Sequence, residues 1–187
     1  MPVSLRTAEP TVPEGFKETE IGPIPEEWEV VQLRDAAQYS KVAVDPQSHS
    51  DELFDYYSIP AFQVSNDPVL ERGGEIRSQK LIVEQGMTLF GKLNPRVPKV
   101  WRVTSTSPRR KIASTEFIPL APIEGRTSSE FLYYLASSGH VLPKSQELVS
   151  GSTPSRQRVD VKAFLRLPVP LPPLPEQRRI AHPSVLI

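Results

Sequence analysis

The chain contains no cysteine, which excludes a disulfide framework and any thiolate metal site. No apolar run approaches the roughly 20 residues that a membrane-crossing helix needs. The opening residues, MPVSLRTAEP, lack the charged-then-apolar order of a secretory signal. There is no excess of either charge, since 22 basic residues balance 22 acidic ones. The three histidines, His49, His140 and His182, lie far apart and have no metal-ligand company in sequence. Neither a Walker motif nor a glycine-rich cofactor turn is present. Asn94-Pro95 is followed by Arg96, so it is not the Asn-Pro-Pro-aromatic motif of amino-methyltransferases. These absences predict a cytoplasmic protein without a cofactor, a metal or membrane contact, and with no catalytic signature.

Proline, in contrast, is abundant: 21 in 187 residues. This predicts many short elements and turns in place of long helices. With 38% hydrophobic and 24% charged residues, the composition is that of a globular chain with room for one sizeable core. Charge is unevenly placed. Residues 1–71 carry 4 lysines and arginines against 14 acidic residues, and residues 72–112 carry 10 against 2. A segregated basic block implies a face that attracts anions, unless the acidic third compensates it across the fold.

Residues 1–16 are expected to be flexible. Trp28 to Leu33 reads as a strand with Trp28 on the core, and Leu33 to Tyr39 as a short helix. Residues 40–75 look irregular, and their carboxylates at Asp51, Glu52 and Asp55 read as a solvated acidic face. Ser78–Val83 and Met87–Leu93 read as two strands of a hairpin joined by Glu84-Gln85-Gly86. Val100–Val103 and Ile112–Leu120 are further strands. Ser128–Ser138 is the best helix, with a serine cap, an apolar stripe through Phe131, Leu132 and Leu135, and Gly139 at its C-terminal end. Leu142–Val149 suggests a second short helix, and Val159–Phe164 a turn or coil.

Two stretches could carry recognition chemistry. In Gly91-Lys92-Leu93-Asn94-Pro95-Arg96-Val97-Pro98-Lys99-Val100-Trp101-Arg102, four cations fall within eleven residues. A loop there would present Lys92, Asn94, Arg96 and Lys99 on one exposed tip, with Arg102 close behind. Lysine and arginine neutralise phosphates, arginine bonds guanine in two places, and asparagine does so with adenine. In Ser150-Gly151-Ser152-Thr153-Pro154-Ser155-Arg156-Gln157-Arg158, Gly151 lets backbone approach a phosphate and the Ser152 and Thr153 hydroxyls suit its oxygens. Arg156, Gln157 and Arg158 could then reach base edges. Read without the rest of the chain, the first is equally a charged surface hairpin and the second a flexible linker.

The last distinctive stretch is LRLPVPLPPLPEQRRIA, Leu165 to Ala181. Its prolines forbid a helix or central strand and force an edge strand or polyproline II run. Pro175 then suits the first turn of a helix, where Glu176 meets the positive end of the dipole.

This stretch resembles the junction at which a target-recognition domain of a type I restriction-modification specificity subunit passes into a long coiled-coil helix. Three further phrases and one loop share the resemblance in family order. Lys17 to Leu33 is similar to an opening KETEIGxIPxxWEVVxL. GKLNPRVPKV is similar to SRLNPRxxKV. Ser114-Thr115-Glu116-Phe117, followed by Glu130 to Leu135, matches an STEF…EFLYYL core, where Tyr133 and Tyr134 read as packing residues. The loop from Gly151 to Arg158 is similar to a glycine-serine-threonine loop with a basic residue.

The resemblance implies an α/β (mixed α+β), strand-rich domain with a few short helices, reading one part of a split, asymmetric site on double-stranded DNA. The divisions it implies are a flexible segment 1–16, a recognition domain 17–174, and the start of a coiled-coil helix at 175–187. It also implies docking to methyltransferase (modification) subunits, with the restriction subunit joining through the complex, and S-adenosylmethionine held by the partner. One departure is Pro183, which interrupts the helix where the family continues it, so a monomer unable to span both half-sites is expected. Two other readings stay open on sequence alone: an interaction module docking through its proline run, and a small nuclease.

Overall fold

The computed structural model describes residues 12–182. The chain opens with two short strands, β1 (Phe16–Lys17) and β2 (Ile24–Pro25), followed by β3 (Glu29–Gln32), helix α1 (Leu33–Ala36) and β4 (Ala37–Tyr39). Next come β5 (Ala43–Val44), β6 (Leu53–Tyr57), α2 (Ile59–Val64), β7 (Val69–Arg72) and β8 (Lys80–Val83). The middle supplies β9 (Thr88–Gly91), β10 (Val100–Arg102), β11 (Lys111–Ala113) and β12 (Phe117–Pro122). Helices α3 (Ser129–Ala136) and α4 (Val141–Glu147) precede β13 (Val149–Ser150), β14 (Arg158–Val159) and α5 (Val161–Leu165). The chain then runs through β15 (Pro168–Leu171) into α6 (Leu174–Ala181). The result is the mixed, strand-rich α/β architecture expected.

Two sheets organise the core. One has four strands in the order β10-β9-β12-β4, and the other five in the order β5-β8-β11-β6-β7. The four-stranded sheet is covered on both faces. Phe90, Ile118 and Leu120 point into a cluster with Phe131, Leu132, Leu135, Phe164 and Val169 from the helices and β15. Leu89, Trp101 and Phe117 point the other way, against Tyr57, Ala61 and Val83. A strand covered on both faces reads as a continuous apolar run, and β9 is buried at all four positions.

The proline run pairs with β3 in an antiparallel ladder that sets Pro168 opposite Gln32 and Pro170 opposite Val30. The Leu33 amide donates to the Leu167 carbonyl at 2.9 Å, which fixes the hydrogen-bonding phase. Alternation then leaves Pro168 and Pro170 at positions that need no N–H. Val169 and Leu171, between and after them, are buried. Helix α6 starts as expected, with a proline in its first turn. It is fixed to the other end of the chain by the Trp28 indole, which donates to the Glu176 carboxylate at 2.9 Å.

Several expectations need correction. Trp28 is half-buried beside α6 and precedes the strand. The helix from Leu33 stops at Ala36, because residues 37–39 join the four-stranded sheet through β12. Residues 40–75 are not irregular: they supply three strands and α2, which Ser58 caps by accepting from the Ala61 amide. The hairpin across Glu84-Gln85-Gly86 does not form. β8 pairs with β11 and β5, β9 pairs with β10 and β12, and the turn crosses between sheets. Ser128 caps α3 as expected, accepting from the Phe131 amide at 3.2 Å, but the C-cap is Ser137 and Gly139 has no left-handed backbone angle. Residues 159–164 form the end of β14 and most of α5. The expectations for residues 1–11 and for Pro183 fall outside the described residues. No helix among the described residues is long and apolar enough to cross a membrane.

Candidate nucleic-acid interface

The strand pair β9–β10 carries the first basic loop. Gly91 makes it possible: a Cβ there would lie 2.8 Å from the Lys99 Cβ, while its amide donates to the Lys99 carbonyl at 2.7 Å. Only glycine admits so close an approach. The chain then turns at Asn94, whose φ of 49° lies in the left-handed region that asparagine tolerates.

Lys99 faces inward and is not on the exposed tip. It is 5% exposed, and its ammonium donates to the carbonyls of Leu93 at 3.0 Å, Asn94 at 3.4 Å and Val97 at 2.8 Å. Burial pushes its pKa below the ordinary lysine value. Its place is that of an internal brace for the loop. A Lys99→Met variant keeps the stem and leaves the Leu93 and Val97 carbonyls without their donor, while the Asn94 carbonyl keeps the Val97 amide. It is expected to cost about 1–3 kcal/mol of stability. Hydrogen exchange at the Gly91 and Val97 amides should speed up selectively, and unaltered exchange there would refute the brace.

The second loop follows β13. Gly151 has a φ of 123°, and a Cβ on it would meet the Arg156 carbonyl and Gln157 Cα at 3.2 Å. Ser152, Thr153 and Arg156 are exposed around a short turn at Pro154–Arg156, and Gln157 is half-buried.

The two loops, far apart in sequence, meet. Leu93 and Arg158 form an antiparallel bridge. The Asn94 amide donates to the Gln157 carbonyl at 2.8 Å, and the Val159 amide to the Lys92 carbonyl at 3.0 Å. Glu116 ties the junction from below. Its carbonyl accepts from the Lys92 amide at 2.9 Å, and its carboxylate accepts from Arg158 Nε and from the terminal guanidinium nitrogen at 2.8 Å. That pairing raises the Arg158 pKa further above its usual value. Arg158 is thus a tie within the fold, while Lys92, Arg96 and Arg156 make no ion pair among the described residues.

Arg102 lies at the other end of β10, opposite Thr88, and pairs with Glu130 of α3 while its Nε donates to Ser129 Oγ at 3.0 Å. It is therefore not part of the loop tip. Of the two tyrosines read as core or rim, Tyr133 is half-buried and Tyr134 is 49% exposed at the rim.

Part of the basic block is neutralised by the acidic third. Arg110 holds Glu52 through two bonds of 2.7 and 2.8 Å, and Arg109 holds Asp55 at 2.7 Å. Asp55 is only 4% exposed, so the segment from Asp51 is not the fully solvated face expected. Burial pushes the Asp55 carboxyl up, but the Arg109 guanidinium with the Ser105 and Ser107 hydroxyls outweighs it and holds the pKa below the ordinary value. At the two-loop tip, by contrast, Lys92, Arg96 and Arg156 stand without an acid partner among the described residues. Among the described residues, no group of three or more His, Asp or Glu side chains could hold a metal ion.

Fold and site together define a strand-rich α/β domain with an anion-directed tip built from two loops. The family model for the type I restriction modification DNA specificity domain matches residues 25–183, and the chain belongs to that family. It is 26% identical over 172 residues to the Type I restriction enzyme MjaVIII specificity subunit of Methanocaldococcus jannaschii, spanning 90% of this chain and 37% of that protein. The Putative type I restriction enzyme MjaX specificity subunit of the same organism is 25% identical over 181 residues, spanning 90% of this chain and 41% of that protein. The fold superposes on the HsdS subunit from Thermoanaerobacter tengcongensis with a TM-score of 0.71 at 23% identity, over 84% of this chain and 41% of that one. The type I S subunit from M. genitalium gives 0.53 at 12% identity, over 83% of this chain and 37% of that one. The chain spans well under half the length of these relatives.

Proposed function

We propose that this chain is the DNA-reading part of a type I specificity subunit. It binds double-stranded DNA, reads one part of a split, asymmetric target, and directs methyltransferase subunits, and through them the restriction subunit, to that site in the cytoplasm. It does no chemistry itself; the methyl transfer from S-adenosylmethionine belongs to the methyltransferase partner. The observation that carries this reading is the junction of the two loops, which sets Lys92, Asn94, Arg96, the Ser152 and Thr153 hydroxyls, and Arg156 around one backbone seam. Helix α6, packed against α3 and held by Trp28, is read as the element that leads toward partners. The proline run favours this over a peptide-ligand role, since Val169, Leu171 and Pro172 are buried against the domain and offer no free ridge.

The test is a binding selection on random duplexes, run with and without the cognate methyltransferase subunit and followed across salt. Enrichment of a short sequence is expected, with affinity falling by about 0.9 log units per log unit of salt for each phosphate neutralised. Duplex binding that is absent or indifferent to salt in both arms would sink the proposal.

A further inference from the structure

We propose that the DNA-binding surface continues beyond the two loops onto α5 and α1, where Arg34, Lys162 and Arg166 form a clamp for backbone phosphates. This rests on the reading of the chain as a DNA binder and extends it to a site that carries no sequence information.

The three cations, with Leu165, line one hollow of about 130 Å³. All three are exposed, and none is in an ion pair among the described residues. Lys162 and Arg166 stand four residues apart at α5 and its C-terminal cap, so they share a face. Arg34 reaches the same hollow from α1, which packs on α5.

None of the neighbouring acids forms an ion pair with them among the described residues. The Asp35 carboxylate accepts from the Gln32 amide at 3.2 Å, and the Asp160 carboxylate accepts from the Ala163 amide at 2.7 Å as the cap of α5. Glu20 and Asp35 share an adjoining hollow with Arg34 and Arg166, and neither bonds to them. Three like charges around so small a space repel one another, and an anion seated among them relieves that repulsion. Two of the three are guanidiniums, whose planar fork matches a phosphate in a bidentate way.

Continuity selects DNA over other anions. Arg158, at the seam of the two loops, leads through Val159 and Asp160 directly into α5. Lys162 is therefore within about 13 Å of Arg158 along the chain. A duplex offers a phosphate roughly every 3.4 Å of axis on each strand, so one seated across Arg96 and Arg156 and running on along α5 would present its backbone to the hollow. The rival occupant is an acidic protein surface, which the test separates.

The experiment measures anisotropy of a labelled random-sequence duplex against the full chain over a range of salt. In R34Q/K162Q/R166Q, affinity at low salt should fall at least tenfold, and the salt slope should shrink by about 2–3, near 0.9 for each phosphate no longer neutralised. Lys162→Gln alone should shrink it by about one. The selected sequence should stay the same, because bonds to phosphate position the protein without specifying sequence. All three residues are exposed, and an unchanged thermal midpoint confirms folding. If R96Q/R156Q loses binding while the triple variant keeps wild-type affinity and slope, the clamp is wrong and the DNA reading stands. A wild-type chain that binds no duplex overturns both. A triple variant that binds DNA normally but no longer co-purifies with the methyltransferase subunit assigns the cluster to a protein surface and overturns the proposal.

Discussion

Replacing Gln177 with leucine is expected to destabilise the protein by about 3 kcal/mol, more than any exposed substitution on the same helix. Gln177 is 0% exposed. Its side-chain oxygen accepts from the Ser128 amide at 2.9 Å, and its nitrogen donates to the carbonyls of Arg126 at 2.8 Å and Pro172 at 2.9 Å. One side chain therefore joins the start of α6, the end of the proline run and the approach to α3. Leucine fills the same volume but leaves an amide and two carbonyls without partners, each costing about 1–3 kcal/mol, partly offset by apolar burial. For a domain of this size that lowers the thermal midpoint by about 6–12 °C. Glu176→Gln is the control: the amide oxygen still accepts from the Trp28 indole, and a loss under about 1 kcal/mol is expected. A Gln177→Leu midpoint within about 2 °C of the parent would show that the three bonds contribute little net stability.

The second large effect is on binding. Arg96→Gln and Arg156→Gln should each weaken duplex binding by about 1–3 kcal/mol, or roughly five- to 150-fold. The two outcomes carry different information. An arginine on a base edge relaxes the preference at one position of the selected site when it is removed. An arginine on a phosphate weakens all sequences alike and lowers the salt slope by about one. Because both loops share one seam, the double variant need not equal the sum of the singles. Arg158→Gln differs in kind: it frees the Glu116 carboxylate and loosens the seam, so its effect on binding should be accompanied by faster amide exchange at Asn94 and Val159. Two single variants at parental affinity would remove Arg96 and Arg156 from the interface.

Much of this arrangement was legible where local chemistry decided it. The serine cap of α3 and the proline start of α6 follow from backbone needs that nearby residues satisfy. What could not be read was non-local. β8 and β9 look like a hairpin because both are apolar runs flanking Gly86, yet their partners β11 and β12 come later in the chain. Lys99 looks like its neighbours Lys92 and Arg96. The one sign that it turns inward is Gly91, a glycine in a strand where another backbone comes close. Gln177 hid within an apparently solvated EQRR run. Leu174, Gln177 and Ala181 nevertheless stand at the spacing of a buried helical stripe, which marks the glutamine as interior. The carboxylates from Asp51 to Asp55 are not a fully solvated face because Asp55 and Glu52 find Arg109 and Arg110 across the fold.

The β3–β15 ladder has a topological consequence. The ends of the segment from Leu33 to Leu167 are brought together by the bond between those two residues, and the flanking strands are clasped again by Trp28 and Glu176. Loop-closure entropy grows only slowly with contour length, at about 0.6 kcal/mol per doubling. The exposed positions of the two basic loops can therefore change while the doorway through which the chain enters and leaves keeps its shape. The tip is free to vary because the doorway is not.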